Sequence, residues 1–175
     1  DDDYPIQPKK HSLDYLRSVP ELRGRTKSFQ SIWKMRHYLS QELHKFFTEK
    51  DFIQYWTPII THADCEGAGE TFSIKSEWLD EKLTVSGQLH GEIGMMSLGQ
   101  IYTFGPCFRA EKSTTKKHLS EFWMLEPEMA FYSLDETMAL SEEMLKSVLK
   151  GILKYEDDFK RLDIDSTHIS SILED

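Results

Sequence analysis

The sequence predicts an α+β fold, an antiparallel sheet flanked by helices. Two long segments carry apolar residues at helical spacing, and between them short apolar runs alternate with hairpin-like polar loops. Of 175 residues, 39% are hydrophobic and 29% charged, a globular balance with room for one domain rather than two.

Residues 1–27 are rich in proline and charge and read as an incoming linker with one short helix around Leu13 to Val19. From Ser28 to Lys50, Ile32, Met35, Leu39, Leu43 and Phe46 fall at steps of three and four, which predicts an amphipathic helix. Asp51 ends it, and Phe52 to Thr57 reads as a strand running into Pro58. Gly67 and Gly69 mark a loop. Leu83 to Ser86 is a short strand, and Gly87 to Leu98 a helix whose apolar contacts come from Met95, Met96 and Leu98. Ile101 to Phe104 is a strand that Gly105-Pro106 turns or bulges. Lys112 to Lys117 is a basic hairpin tip, and Glu121 to Phe131 returns as a strand. Ser133 to Glu136 forms a capping box for a helix whose buried face holds Leu134, Met138, Leu145, Val148, Leu149 and Ile152. A short helix near Ile169 to Leu173 closes the chain.

Several functions are disfavoured. No apolar run approaches the length of a membrane span. There is no phosphate-loop motif, no dinucleotide fingerprint and no His-Glu-x-x-His, and the seven histidines are scattered at spacings that suit no metal. Two cysteines, Cys65 and Cys107, make neither a disulfide framework nor a four-ligand zinc site. The net charge of −9 argues against strong nucleic-acid binding by this segment alone. The opening Asp1-Asp2-Asp3, with no starting Met, reads as an excised piece of something longer.

The informative stretch runs from Phe104 through Phe108-Arg109-Ala110-Glu111, across the basic tip, to His118-Leu119-Ser120-Glu121-Phe122-Trp123 and Glu126-Pro127-Glu128. Its bland reading is an amphipathic hairpin with solvated charges. However, these residues in this order resemble motif 2 of the class II aminoacyl-tRNA synthetases, in the subgroup charging aspartate, asparagine and lysine. Cys65 to Glu70 and Leu83 to His90 resemble the asparaginyl branch, and the helix from Ser28 with the strand ending at Pro58 resembles motif 1, the family's dimer interface.

That resemblance covers nearly the whole chain and implies roles. Arg109 would bridge the α-phosphate of ATP and the amino-acid carboxylate, a task suited to a two-pronged guanidinium. Glu111 would lie beside the adenine amino group, Phe122 would stack on the adenine, and His118 would meet the outer phosphates. Glu66, Ser86, Gln88 and Glu126 would hold the amino acid, with Glu66 on a glycine-flanked loop able to close. Where aspartyl enzymes carry a lysine, this chain has Gly91, so the pocket lacks a cation for a second carboxylate and suits a neutral amide.

The implied fold is the class II catalytic core, incomplete. Motifs 1 and 2 are present, while motif 3 and the acidic residues that hold Mg2+ in the family lie outside this chain, which itself offers no metal ligands. Residues 1–27 would follow an absent anticodon-binding domain, and 28–175 would be the N-terminal portion of the catalytic domain. The expectation is a cytoplasmic or organellar asparagine ligase using ATP, asparagine and tRNA(Asn), homodimeric through residues 28–58, of which this segment alone is inactive. The alternatives are an aspartyl enzyme, a synthetase-like asparagine synthetase, and a non-catalytic synthetase-derived interaction module.

Overall fold

The structure is a computed structural model that describes residues 4–65, 67, 70–112, 115 and 118–174. In chain order the elements are α1 (Leu13–Ser18), α2 (Pro20–Arg23), α3 (Lys27–Glu49), β1 (Ile53–Gln54), β2 (Ile60–Thr61), β3 (Ser73–Lys75), β4 (Asp80–Leu83), α4 (Gln88–Leu98), β5 (Gln100–Phe108), β6 (Glu121–Met129), α5 (Leu134–Ile152), α6 (Glu156–Arg161) and α7 (Ser166–Glu174). They divide into two compact units, Asp1–Phe46 with Asp135–Asp175, and Phe47–Leu134.

The first unit is helical. The stripe predicted on α3 is real: Met35 is buried with Ile152 and Phe159, and Tyr38, Leu39, Leu149 and Leu162 pack around them. Tyr38 and Tyr155 stack with centroids 3.4 Å apart. One polar contact lies inside this packing, where the fully buried Ser31 donates to Asp158 Oδ1 at 2.6 Å. Asp158 also accepts from Arg161 Nη1 at 3.3 Å, so its buried carboxylate is compensated. The seam expected on α5 is only partly covered. Val148 and Ile152 are buried, but Leu134, Met138 and Leu145 are 75%, 59% and 57% exposed. Helical spacing predicts which residues share a face; it does not predict how far along the helix a cover extends.

The second unit holds two three-stranded sheets, β1-β5-β6 and β2-β4-β3. The second is antiparallel throughout. The first is mixed, because β1 runs parallel to β5, pairing Ile53 with Ile101, while β6 runs antiparallel to it. The expected antiparallel pairing holds for β5 with β6 and throughout the second sheet, and β1 adds one parallel pair. A helix and the whole second sheet separate β1 from β5 in sequence, and such a long crossover suits parallel pairing.

Other strand boundaries differ as well. The strand expected over 52–57 shrinks to Ile53–Gln54. Tyr55 N still donates to Tyr102 O at 2.9 Å, but the ladder stops short of Pro58 and Trp56 is 80% exposed. The strand expected over 83–86 ends at Leu83. From there Thr84 Oγ1 donates to Ser86 O at 2.6 Å and accepts from Ser86 N at 3.3 Å, a local alternative to the ladder. Gly105-Pro106 neither turns nor bulges β5; the pair faces Met124 and Trp123 in unbroken register. Phe108 N points away from β6, donating to Thr84 O at 2.8 Å. Two residues earlier, the nitrogen of Pro106 points the same way, so its missing N–H removes no bond to β6.

Candidate functional site

Register decides which side chains share a face. In the β5–β6 hairpin, Ile101 faces Glu128, Thr103 faces Glu126, Gly105 faces Met124 and Cys107 faces Phe122. Side chains alternate along a strand, so these pairs, with Arg109 just past the strand end, lie on one side. The other side carries an aromatic layer. Tyr102 stacks on Phe47 at 4.7 Å, and Phe104 meets Trp123 edge-on at 5.1 Å. One face is therefore packing, and the other carries the polar chemistry.

The segment 84–88 is laid against that polar face by the Phe108 N to Thr84 O bond. It brings Ser86 and Gly87 onto Glu126. Glu126 Oε1 accepts from Ser86 Oγ, while Oε2 accepts from Gly87 N at 3.0 Å and Thr103 Oγ1 at 2.9 Å. Of the roughly four lone-pair positions of a carboxylate, three are taken, which leaves one for an outside donor. A Cβ on Gly87 would stand 2.9 Å from Thr103 Oγ1 and 3.1 Å from Glu126 Oε2, so only glycine permits this approach.

Next along the chain, Gln88 N donates to Ser86 Oγ at 3.0 Å and Gln88 Nε2 to Glu92 Oε1 at 3.0 Å. The buried thiol of Cys65 donates to Gln88 Oε1 at 3.5 Å. Gln88 is thereby held by both ends of its amide. Helix α4 rests on the hairpin at buried Gly91, where a Cβ would meet Glu128 Cγ at 3.3 Å, while its Gly94 lies against the Tyr55 ring. Met96 and Leu98, expected to supply its apolar contacts, are 82% and 46% exposed. Burial pushes the Glu128 carboxyl up to about 7, helped by the charges of Glu92 and Glu126. Burial likewise pushes the Cys107 thiol up to about 11, with Glu126 adding to it and Arg109 opposing.

At the open end, the Arg109 guanidinium lies over the Phe122 ring, 5.5 Å from its centroid. Its Nε is buried without a hydrogen-bond partner among the described residues. An unmade bond from a buried cationic donor costs about 1–3 kcal/mol or more, so this group is set to receive an acceptor. Arg109 N is fixed by Ser120 O at 3.0 Å, and Ala110 N by Glu70 O at 2.7 Å.

Of the residues singled out in the sequence, Ser86, Gln88 and Glu126 form one connected cluster, and Arg109 with Phe122 forms a second on the same face. Glu111 and His118 are exposed beyond the strand ends, with no contact to either cluster among the described residues. The His118 ring nitrogen Nδ1 bonds Thr115 Oγ1 instead. Glu66 lies outside the described residues, although its loop is anchored on both sides, at Cys65 and Glu70. Sequence reading missed Thr103, Glu92 and the backbone N–H of Gly87. Glu92 was signalled by its i,i+4 spacing from Gln88; Thr103 shows only once the hairpin register is known.

The chain matches known proteins in sequence and in fold. A family model described as tRNA synthetases class II (D, K and N) matches residues 14–171. An asparagine--tRNA ligase of Desulfotalea psychrophila is 50% identical over 159 residues, covering 87% of this chain and 35% of the relative. A Dictyostelium discoideum relative, whose name places it in mitochondria, is 44% identical over 98% of this chain and 40% of its own length. The crystal structure of asparaginyl-tRNA synthetase from Pyrococcus horikoshii complexed with asparaginyl-adenylate superposes with a TM-score of 0.89 at 27% identity, covering 97% of this chain and 40% of that one. The chain thus spans well under half the length of the relatives it matches.

Proposed function

Given that the chain belongs to the class II tRNA synthetases of the D, K and N group, we propose that it forms part of the site of an asparagine--tRNA ligase. In the first step a carboxylate oxygen of asparagine attacks the α-phosphorus of ATP, and pyrophosphate leaves with the bond it held. In the second, a terminal hydroxyl of tRNA(Asn) attacks the activated carbonyl and AMP leaves.

One observation carries the reading. A buried guanidinium nitrogen at Arg109 with no partner among the described residues, beside the Phe122 ring, shares a strand face with the Glu126 carboxylate, which keeps one acceptor position open. Arg109 and Glu126's partner Thr103 are six residues apart along the β5 direction, roughly 20 Å at the ordinary strand rise. That span accommodates a nucleotide joined to an amino acid. Arg109 neutralises charge gathering on the α-phosphate, and Phe122 carries the adenine. Glu111 reads the adenine amino group and His118 the outer phosphates. Ser86, Gln88 and Glu126, with Glu66 on its loop, hold the amino acid.

Selectivity follows from charge. Glu128 lies against Gly91, with the charges of Glu92 and Glu126 close enough to raise its carboxyl, and position 91 itself carries no cation for a second carboxylate. A neutral amide enters such a pocket at less electrostatic cost than aspartate. Among the described residues no group of three His, Cys, Asp or Glu is placed to hold a metal ion. The described residues therefore offer no set that fits Mg2+.

The remaining features of this reading are a homodimer built on residues 28–58, a cytoplasmic or organellar location, and a 175-residue segment that is inactive alone. No helix among the described residues is long and apolar enough to cross a membrane. ATP–pyrophosphate exchange on the full-length protein, with asparagine and aspartate side by side, tests the assignment. Exchange with asparagine alone is expected. Exchange with aspartate moves the reading to an aspartyl enzyme or an asparagine synthetase, and silence with both leaves a non-catalytic module.

A further inference from the structure

Two residues outside the substrate-holding set grip the carboxamide of Gln88. Gln88 opens α4, and Glu92 stands one turn further along that helix. Gln88 Nε2 donates to Glu92 Oε1 at 3.0 Å, and the thiol of Cys65 donates to Gln88 Oε1 at 3.5 Å.

These partners decide which way the amide faces. A carboxylate only accepts, so the NH2 group belongs on the Glu92 side. The oxygen then faces Cys65, whose side chain has one S–H to give. Turning the amide over would set its oxygen against a carboxylate oxygen and its NH2 group against sulfur, a weak acceptor.

Cys65 is brought there by a different part of the chain. It is 4% exposed and follows β2, where Thr61 pairs with Lys82 of β4. Ala63 N donates to Thr61 Oγ1 at 3.0 Å, and Asp64 meets Lys82 at 3.7 Å. The sulfur therefore rides on backbone tied to β4, not on the helix it touches. On its other side, Gln88 N donates to Ser86 Oγ at 3.0 Å, and Ser86 Oγ donates to Glu126. Cys65, Gln88, Ser86 and Glu126 thus form one hydrogen-bonded chain.

With one lone pair given to the thiol, Gln88 Oε1 keeps a second for an outside donor. An α-ammonium group only donates. It is attracted by an amide oxygen and repelled by an NH2 group in the same place.

We infer that Cys65 is a positioning residue for amino-acid activation: with Glu92 it locks the Gln88 carboxamide so that Oε1, not Nε2, faces the ammonium group of the substrate. The inference rests on the asparagine ligase reading for what Gln88 meets. Cys65 touches no reacting atom and acts only through Gln88.

ATP–pyrophosphate exchange on the full-length protein tests this role. Cys65→Ala is expected to raise KM for asparagine roughly three- to tenfold, the scale of one lost hydrogen bond, and to leave KM for ATP within about twofold. Cys65→Ser, which keeps a donor, should fall between the parent and Cys65→Ala. In a Gln88→Ala background the thiol has nothing left to hold, so Gln88→Ala/Cys65→Ala should match Gln88→Ala alone. Additive losses in that cycle overturn the inference, and so does an equal rise in both KM values, because either outcome makes Cys65 a packing residue. Glu92→Ala is a poorer probe, since the charge of Glu92 also acts on Glu128.

The thiol offers a readout independent of activity. An S–H stretch falls in frequency when the thiol donates a hydrogen bond, and the Cys65 band is isolated as the infrared difference between the parent and Cys65→Ser. In Gln88→Ala that band should move to higher frequency. An unmoved band overturns the inference whatever the exchange kinetics show. Absence of exchange in the unmodified protein sinks the ligase reading instead, and leaves the infrared band to judge the bond from Cys65 to Gln88.

Discussion

Gly87 donates its backbone N–H to Glu126 Oε2 at 3.0 Å across 39 residues of sequence, and the same oxygen takes the hydroxyl of Thr103 at 2.9 Å. A helix start and a strand are joined there at a point where no side chain fits.

Gly87→Ala places a methyl 2.9 Å from Thr103 Oγ1, 3.0 Å from Thr57 Oγ1 and 3.1 Å from Glu126 Oε2. Such overpacking costs about 1–3 kcal/mol. A lowered urea midpoint is expected, with a raised KM for asparagine and little change in KM for ATP. A rise in both constants by the same factor counts against a local effect.

Glu126→Gln exchanges one acceptor oxygen for an NH2 group: turned toward Gly87 it confronts a fixed N–H donor, and turned toward Ser86 it obliges that hydroxyl to reverse and accept. Ser86 Oγ, Gly87 N and Thr103 Oγ1 all donate to Glu126. Leaving a buried donor unmet costs about 1–3 kcal/mol, or roughly 5- to 150-fold in an equilibrium. Exchange kinetics should show that loss in kcat/KM for asparagine; a variant within twofold of the parent would contradict the assignment of Glu126.

Arg109→Lys keeps the charge but removes the fork and the flat ring contact over Phe122. A 10²- to 10³-fold fall in the rate of adenylate formation is expected, the scale of losing one preorganised donor. Phe122→Leu, by contrast, should raise KM for ATP up to about tenfold, as a lost stacking partner of about 0.5–1.5 kcal/mol implies, and leave KM for asparagine nearly alone. Single-turnover kinetics separate the two patterns.

Glu128 gives a pH signature. Its carboxyl is pushed up to about 7 by burial and by Glu92 and Glu126, from an ordinary 4.5. The folded chain therefore binds this proton more tightly than the unfolded one. Its contribution to stability is fully present below about 4.5 and is lost as pH rises through about 7. For a half-exposed group the effect is on the order of 1 kcal/mol after solvent screening. Glu128→Gln should flatten this part of the stability profile between pH 5 and pH 8, read from urea midpoints; an unchanged slope means another group titrates there.

Much was legible in the sequence because it is local. The α3 stripe from Ile32 to Phe46 follows from a 3.6-residue period, and the face alternation of β5 and β6 follows from a period of two. Arg109, Phe122, Ser86, Gln88 and Glu126 could be singled out as candidates because the motif resemblance rests on residue type and order along one chain. What a strand pairs with was less visible. β1 lies parallel to β5 only because the intervening chain returns on the far side, which no property of Ile53 or Gln54 announces.

The tertiary structure alone decided three things. It showed that Glu126 has spent most of its acceptors on Ser86, Gly87 and Thr103, so it enters the site held in place. It showed that α4 touches the hairpin through Gly91 rather than through Met96 or Leu98. And it showed that α5 buries Leu140, Val148 and Ile152 while Leu134, Met138 and Leu145 stay exposed. Local periodicity fixes the direction in which a side chain points. Only packing across long sequence separations fixes what it meets, because that depends on where other segments come to rest.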